Sequence, residues 1–226
     1  MKKRPWLIAF IVVFIAHLTG IFLQNKIPEM VSKPLLIPLL AGYFIAGTGV
    51  VATDLKKWIV VALFFSWAGD VLLMFVPRNE LCFLMGLSSF LLAHIFYIVF
   101  FHKVRLKEAV KSNPWLLVLV VIYYAALISW LSPYLGEMKL PVRIYGIVIS
   151  FMFMLAMHML FIKNKTAGKW MMVGALLFVI SDSLLAINKF YQPFTLANIA
   201  IMLTYGLAQL FIVQGAINYI NSGDKE

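Results

Sequence analysis

The sequence predicts an all-α integral membrane protein whose eight transmembrane helices form one bundle, with both termini in the cytoplasm. Three observations support this fold class: 63% of the 226 residues are hydrophobic, only 12% are charged, and the mean hydropathy is +0.96. A soluble domain carries about 25% charged and about 45–50% apolar residues. The composition therefore excludes a soluble globular domain, a disordered chain and a disulfide scaffold.

Eight continuous apolar runs, separated by charged residues, Pro and Asn, mark the helices. Each run is about 18–25 residues long, enough to cross a hydrocarbon layer of about 30 Å. Pro34, Pro114 and Pro141 fall at predicted helix starts, where a missing N–H costs little. The predicted spans are 6–23, 34–53, 57–76, 81–101, 114–132, 141–162, 169–188 and 194–218. Because the loops are short and there is no linker, we expect a single domain over residues 1–226.

The first run follows three basic residues and superficially resembles a signal peptide. It is longer than the apolar segment of a signal peptide, which has about 7–15 residues, and no small-residue cleavage site follows it. We therefore expect a retained transmembrane span.

The distribution of Lys and Arg predicts the orientation. With the N-terminus inside, the cytoplasmic segments hold 13 of these residues and the outer segments hold six, namely Lys26, Lys33, Arg78, Lys139, Arg143 and Lys189. The positive-inside rule then places both termini in the cytoplasm. The expected location is the cell membrane. The same excess predicts contact with anionic lipids at the cytoplasmic face, and not with nucleic acid. The oligomeric state is not predicted.

Only two of the nine acidic residues, Asp70 and Asp182, lie inside predicted spans. A carboxylate at the bilayer centre costs about 2.5–3.5 kcal/mol, so a compensating interaction is required. Each aspartate lies 13 residues past the inner end of its span, which predicts similar depths toward the outer half. Hydrogen bonding to neighbours, a catalytic pair and a proton path all stay open. The segments 69–73 and 181–185 also resemble each other, which would fit a four-plus-four duplication.

His94 is the next candidate, because it shares one face of the fourth span with Tyr97. The span boundaries place it nearer the cytoplasm than the aspartates. A histidine at this position could move a proton, bind a metal or bond a neighbour. His17 and His102 are expected to be interfacial or packing residues. No compact ligand pair such as H-E-x-x-H occurs, so no metal is predicted.

Other polar residues extend the predicted site. Tyr205 and Gln209 share a face of the eighth span and are expected to line a cavity, while Ser181 and Asn188 follow the stripe of Asp182. For Lys33 the ordinary interpretation is a snorkelling lysine, and the alternative is a cation that binds a lipid phosphate. No G-x-S-x-G or P-loop motif occurs in a valid context, which argues against a serine hydrolase and an ATP-driven pump. The residues alone leave an enzyme acting on a membrane substrate or a small transporter.

Four blocks of sequence resemble the YhhN family of lysoplasmalogenase-like membrane proteins. They are residues 33–35 (KPL), 69–74 (GDVLLM), 86–97 (with FLLAHIFY at its end) and 174–183 (GALLFVISDS). Tyr205 and Gln209 resemble the family's closing helix. The similarity extends from about residue 30 to residue 215.

The resemblance implies hydrolysis of the vinyl ether bond of lysoplasmalogens to a fatty aldehyde and a glycerophospho-ethanolamine or -choline. Asp70 and Asp182 would supply acid–base catalysis, in the manner of glycoside hydrolysis, and His94 would shuttle protons or orient one carboxyl group. Substrate-binding roles are expected for Lys33, Tyr97, Tyr205, Gln209, Ser181 and Asn188. No metal or organic cofactor is needed, since the chemistry is proton transfer. The alternative is a proton-coupled transporter or lipid-binding protein that uses the aspartates without hydrolysis.

Overall fold

The computed structural model describes residues 3–49, 51–76 and 79–222. Over these residues eight helices are long and apolar enough to cross a membrane, and no strand occurs. They are α1 (Arg4–Phe22), α2 (Lys26–Thr48), α3 (Leu55–Met74), α4 (Leu81–Lys107), α5 (Pro114–Leu131), α6 (Lys139–His158), α7 (Lys165–Ala186) and α8 (Ala197–Ser222). The predicted fold class, an eight-helix multi-pass integral membrane protein, is confirmed. Lys2, Arg78 and Lys225, which entered the charge count, lie outside the described residues.

The second helix begins earlier than predicted. The sequence placed its start at Pro34, whereas α2 begins at Lys26. The side chain of Asn25 accepts a hydrogen bond from the Ile27 N–H at 3.1 Å and caps the helix. Since this cap and a proline in the first turn are both favourable at a helix start, the polar segment 26–33 is helical and belongs to the bundle.

Two prolines, Pro34 and Pro38, lie inside α2. Pro38 has no N–H, so the carbonyl oxygen of Pro34 lacks the donor that an α-helix normally supplies four residues later. The indole Nε1–H of Trp67 on α3 donates to this oxygen at 3.0 Å. Pro38 is therefore tolerated inside α2 because a neighbouring helix supplies the missing hydrogen bond.

The most extensive helix pairs are α7 with α8, α3 with α4, and α1 with α2, whereas α5 packs at the edge of the bundle. Glycines bring α7 and α8 into backbone contact. A Cβ atom on Gly174 would lie 2.7 Å from the backbone nitrogen of Ile212, and one on Gly215 would lie 2.9 Å from the carbonyl oxygen of Ala167. Such close approach is typical of helix packing in membranes, where small residues form the interface.

The helices alternate in direction along the chain, so the ends of α1, α3 and α7 lie at the same end of the bundle as the starts of α2, α4 and α8. We call this the cavity end. Asp70 lies four residues before the last residue of α3, and Asp182 lies four residues before the last residue of α7. The two aspartates therefore lie at matched depths, close to the cavity end.

Candidate active site

A cavity of about 620 Å³ occupies the cavity end and is lined by every helix except α5. Much of its wall is apolar, with side chains such as Met30, Leu73, Phe90 and Met202. Asp70 and Asp182 both line it. A largely apolar cavity of this size with a few polar groups is typical of a small-molecule or lipid site.

Asp70 is 2% exposed and lies against α8. The hydroxyl of Tyr205 donates a hydrogen bond of 2.7 Å to its Oδ2 atom. The ammonium group of Lys33, which also lines the cavity, lies within electrostatic range of Asp70. These two interactions compensate for placing a carboxyl group inside the bundle.

Asp182 makes a similar interaction with a different helix. The hydroxyl of Tyr145 on α6 donates a hydrogen bond of 2.5 Å to Oδ2 of Asp182. Sequence analysis did not include Tyr145 among the site residues. No spacing along the chain links it to Asp182, because the two residues meet only when α6 packs against α7.

His94 lies beside Asp182, with 3.8 Å between its Nε2 atom and Oδ2 of the aspartate. The sequence placed this histidine nearer the cytoplasm, but the packing of α4 brings its side chain to the acid. The ring is fully buried and stacks edge-on against Tyr145 and Phe178, with ring centroids 5.3 and 4.6 Å apart. His94 is absent from the cavity lining and stands behind Asp182.

Tyr97 and Gln209 also lie behind the cavity wall and not in its lining. The Tyr97 hydroxyl donates to Oε1 of Gln209 at 2.5 Å, and the Gln209 amide donates to Oγ of Ser66 at 2.9 Å. All three residues are fully buried, and their bonds join α4, α8 and α3. Their placement does not support the expectation that Tyr97 and Gln209 contact a substrate directly.

Ser181, Asn188 and Tyr205 line the cavity together with Lys33. The Ser181 hydroxyl donates to the carbonyl oxygen of Ile201 at 3.0 Å, so its hydrogen is already in use. Oδ1 of Asn188 accepts from the Phe194 N–H at 3.4 Å, just past the end of α7. These side chains therefore have structural partners as well as access to the cavity.

Several lining residues were missed from the sequence. Lys26, Glu29 and Lys189 line the cavity near the helix ends, and none of them forms an ion pair within the described part of the chain. His17 also lines the cavity and is 2% exposed, so it is more than the packing residue that was expected. The early start of α2 explains the first two omissions, since residues 26–33 were assigned to a loop.

A second cavity of about 50 Å³ lies between α5, α6 and α7, and Asp182 and Tyr145 line both cavities. Buried Ser150 lines the smaller cavity, and its Oγ atom has no hydrogen-bond partner among the described residues. A volume of this size has room for water. Asp182 therefore stands in the wall between a lipid-sized space and a water-sized one.

Across residues 3–49, 51–76 and 79–222, no group of three or more His, Cys, Asp and Glu side chains is placed to hold a metal ion.

Comparison with known proteins identifies relatives of this chain. It is 31% identical over 163 residues to a protein of Mycobacterium tuberculosis named lysoplasmalogenase, which covers 71% of this chain and 60% of the relative. It is 33% identical over 160 residues to human lysoplasmalogenase TMEM86B, covering 69% of this chain and 62% of that protein. The rat protein of the same name is 29% identical over 221 residues, covering 96% of this chain and 85% of the relative.

The match to the mycobacterial relatives spans about 60% of their length. No solved structure matches the chain. The model of the YhhN family matches residues 28–216, a range that contains both aspartates, His94 and Lys33. The chain therefore belongs to the YhhN family.

Proposed function

We propose that this chain is a lysoplasmalogenase, which hydrolyses the vinyl ether bond of a lysoplasmalogen in the cavity that contains Asp70 and Asp182. The observation that carries the proposal is the presence of two carboxyl groups in one largely apolar cavity, each bonded to a tyrosine. The names of the mycobacterial and mammalian relatives support the same activity.

The reaction begins with proton transfer to carbon. A carboxylic acid protonates the β-carbon of the vinyl ether, which gives an oxocarbenium ion with its charge on the α-carbon and the ether oxygen. Water adds to the α-carbon and loses a proton, and the hemiacetal collapses to a fatty aldehyde and the glycerol hydroxyl. One water is consumed. The sequence of steps needs one protonated carboxyl group and one carboxylate, as in glycoside hydrolysis.

Charge near the two carboxyl groups favours one division of these roles. The Lys33 ammonium lies within electrostatic range of Asp70, which suits a carboxylate that stabilises the oxocarbenium ion and accepts a proton from water. Asp182 forms no ion pair with a Lys or Arg among the described residues, and its neighbours are Tyr145 and His94. We therefore assign the acid to Asp182, with its Oδ1 atom carrying the transferred proton.

The remaining groups have supporting roles in this proposal. Lys33 binds the phosphate, and the apolar wall receives the alkenyl chain. Lys26, Glu29 and Lys189 face the head group near the helix ends. The proton that Asp70 accepts from water returns to Asp182 through water in the cavity after each turnover, and His94, behind Asp182, orients that carboxyl group. Tyr97 and Gln209 act indirectly, by fixing α4 and α8 beneath the site.

The proposal is tested by aldehyde release from a lysoplasmalogen by the purified protein in detergent. Asp70→Asn and Asp182→Asn should each lower kcat at least about 1,000-fold, since each removes a group that carries or accepts a proton. Asp54→Asn is the matched control, because Asp54 is 84% exposed at the opposite end of the bundle. A cooperative thermal melting transition in each variant, as in the wild-type protein, would show that the variants fold.

Full activity in either cavity variant would refute the assignment of that aspartate. Failure of the folded wild-type protein to release aldehyde would refute the hydrolase. Proton-linked uptake into liposomes by the same preparation would then favour the transporter, in which the aspartates bind protons without catalysis.

A further inference from the structure

His17 on α1 is a buried cavity residue that the proposed reaction does not use. It is 2% exposed and lines the cavity together with Lys33. It precedes residue 28, where the match to the family model begins. Its role is therefore argued from the contacts of this chain alone.

The hydrogen bonds of Ser32 determine which nitrogen of His17 carries the proton. Oγ of Ser32 lies 2.5 Å from the carbonyl oxygen of Pro28, and two oxygen atoms this close need the hydroxyl hydrogen between them. A serine has only one such hydrogen, so Oγ must accept from Nδ1 of His17, which lies 2.8 Å away. Nδ1 is therefore protonated.

The other ring nitrogen of His17 is a free acceptor. The ring is buried and has no carboxylate partner among the described residues, so it is neutral and Nε2 holds a lone pair. Nε2 is buried and has no hydrogen-bond partner in the part of the chain that the structure describes. A buried acceptor of this kind marks the position of a ligand or a water donor.

The surroundings of Nε2 favour a neutral donor from a ligand. A ligand ammonium at this position would lie close to the Lys33 ammonium, and the two charges would repel each other. A hydroxyl group supplies the hydrogen without the charge. Lys33 is also within electrostatic range of Asp70, so a phosphate bound at Lys33 would lie near both His17 and Asp70 in the same cavity.

A lysoplasmalogen places a hydroxyl group in this position. Its three glycerol carbons carry the vinyl ether, a free hydroxyl and the phosphate in consecutive order. When the phosphate contacts Lys33 and the vinyl ether lies at Asp70 and Asp182, the hydroxyl on the middle carbon is within reach of the lining residue His17.

We propose that His17, held in one tautomer by Ser32, accepts a hydrogen bond from the free sn-2 hydroxyl and makes the cavity selective for lysophospholipids over their diradyl parents. In a diradyl lipid this oxygen is part of an ester and has no hydrogen to donate, so Nε2 would stay unpaired. The inference rests on the proposed function, because that function supplies the class of lipid.

Binding of two uncleavable ligands tests the inference. They are a saturated 1-O-alkyl lysophospholipid and its 2-deoxy analogue, which differ only in the hydroxyl group. The wild-type protein should bind the hydroxyl ligand about 10-fold more tightly, the effect of one hydrogen bond to a buried acceptor. His17→Asn keeps a donor for Ser32 but has no atom at the position of Nε2, so the ratio should fall to about one. His17→Gln places its amide near that position and should retain part of the preference.

Equal ratios in the wild-type protein and His17→Asn would overturn the proposal, as would a wild-type protein that does not distinguish the ligands. If His17→Asn fails to fold, Ser32→Ala is measured in its place. Without the oxygen atom that accepts from Nδ1, the tautomer of His17 is not fixed. The ratio of the two affinities should then fall several-fold. An unchanged ratio in Ser32→Ala would then overturn the proposal. Aldehyde release measured in parallel distinguishes failure of the proposed hydrolysis from failure of the proposed role of His17, because the ratio of the two binding affinities does not depend on catalysis.

Discussion

The hydroxyl of Tyr145 donates a hydrogen bond of 2.5 Å to Oδ2 of Asp182, in the wall that separates the large cavity from the small one. Tyr205 donates in the same way to Oδ2 of Asp70, which lines the same large cavity. Each aspartate thus has one oxygen bound to a tyrosine and the other available for chemistry. The bonds come from α6 and α8, so the site depends on helices other than those that carry the acids.

Removal of the Tyr145 hydroxyl tests this arrangement. Tyr145→Phe should lower kcat about 10- to 100-fold, because the carboxyl group of Asp182 loses the donor that fixes its orientation, while KM changes less. The measurement is steady-state aldehyde release. Tyr124→Phe is the matched control, since its hydroxyl donates, among the described residues, only to the carbonyl oxygen of Arg143 at 3.4 Å. A Tyr145→Phe variant with the wild-type kcat would contradict the proposed role.

Lys33 should contribute mainly to substrate binding. Lys33→Gln removes the cation that receives the phosphate, and KM should rise about 10-fold or more, as expected for the loss of a charge-assisted hydrogen bond. Lys33→Arg should recover part of the loss. Lys57→Gln provides the control, because Lys57 pairs with Asp54 at the opposite end of the bundle. An unchanged KM in Lys33→Gln would return this residue to its ordinary snorkelling role.

The sequence was sufficient for the fold class and for the two membrane acids. Long apolar runs dictate spanning helices, and a carboxyl group inside such a run is costly enough to stand out. Asp70 and Asp182 therefore needed no structural information to be recognised as candidates. Structural information was needed to show that they share a cavity, because the sequence of a helix does not reveal which helices pack against it.

The residues that were missed share this cause. Tyr145 and His17 reach the site through the packing of α6 against α7 and of α1 against α2, which no spacing within a single helix reveals. Tyr97 and Gln209 were expected to bind substrate, but they bond to each other across 112 positions and do not line the cavity. The start of α2 was wrong for a local reason, since Pro34 suggested a helix start, whereas the helix begins at Lys26 and continues through Pro34.

The orientation of the bundle remains a prediction that the single cysteine makes easy to test. In a Cys82→Ser background, Glu80→Cys places a thiol at the cavity end, and Asp54→Cys places one at the opposite end. If both termini are cytoplasmic, a membrane-impermeant maleimide added to intact cells should label only Glu80→Cys. Labelling of Asp54→Cys alone would reverse the topology, and permeabilised cells provide the control for reactivity.

The buried chain of Tyr97, Gln209 and Ser66 should be important for stability. Gln209→Leu leaves the Tyr97 hydroxyl and the Ser66 hydroxyl without this partner, and should lower the free energy of unfolding by about 1–3 kcal/mol. Adding Tyr97→Phe removes one of the orphaned groups, so the double variant should lose less than the sum of the single losses. Thermal melting in detergent measures both effects. Strict additivity would show that the two side chains do not interact.

The contact between α7 and α8 should tolerate added volume poorly. A Cβ atom on Gly174 would lie 2.7 Å from the backbone nitrogen of Ile212, and neither helix backbone can move away without disturbing Asp182 and Tyr205. Gly174→Ala should therefore lower the melting temperature and aldehyde release together, with a stability loss of about 1–3 kcal/mol.

Gly146→Ala is the matched control. Its Cβ would meet only the movable ring of Tyr124 at 2.9 Å, and the gain in helix propensity is the same in both variants. Equal melting temperatures for the two variants would show that backbone contact between α7 and α8 does not hold the two halves of the site together.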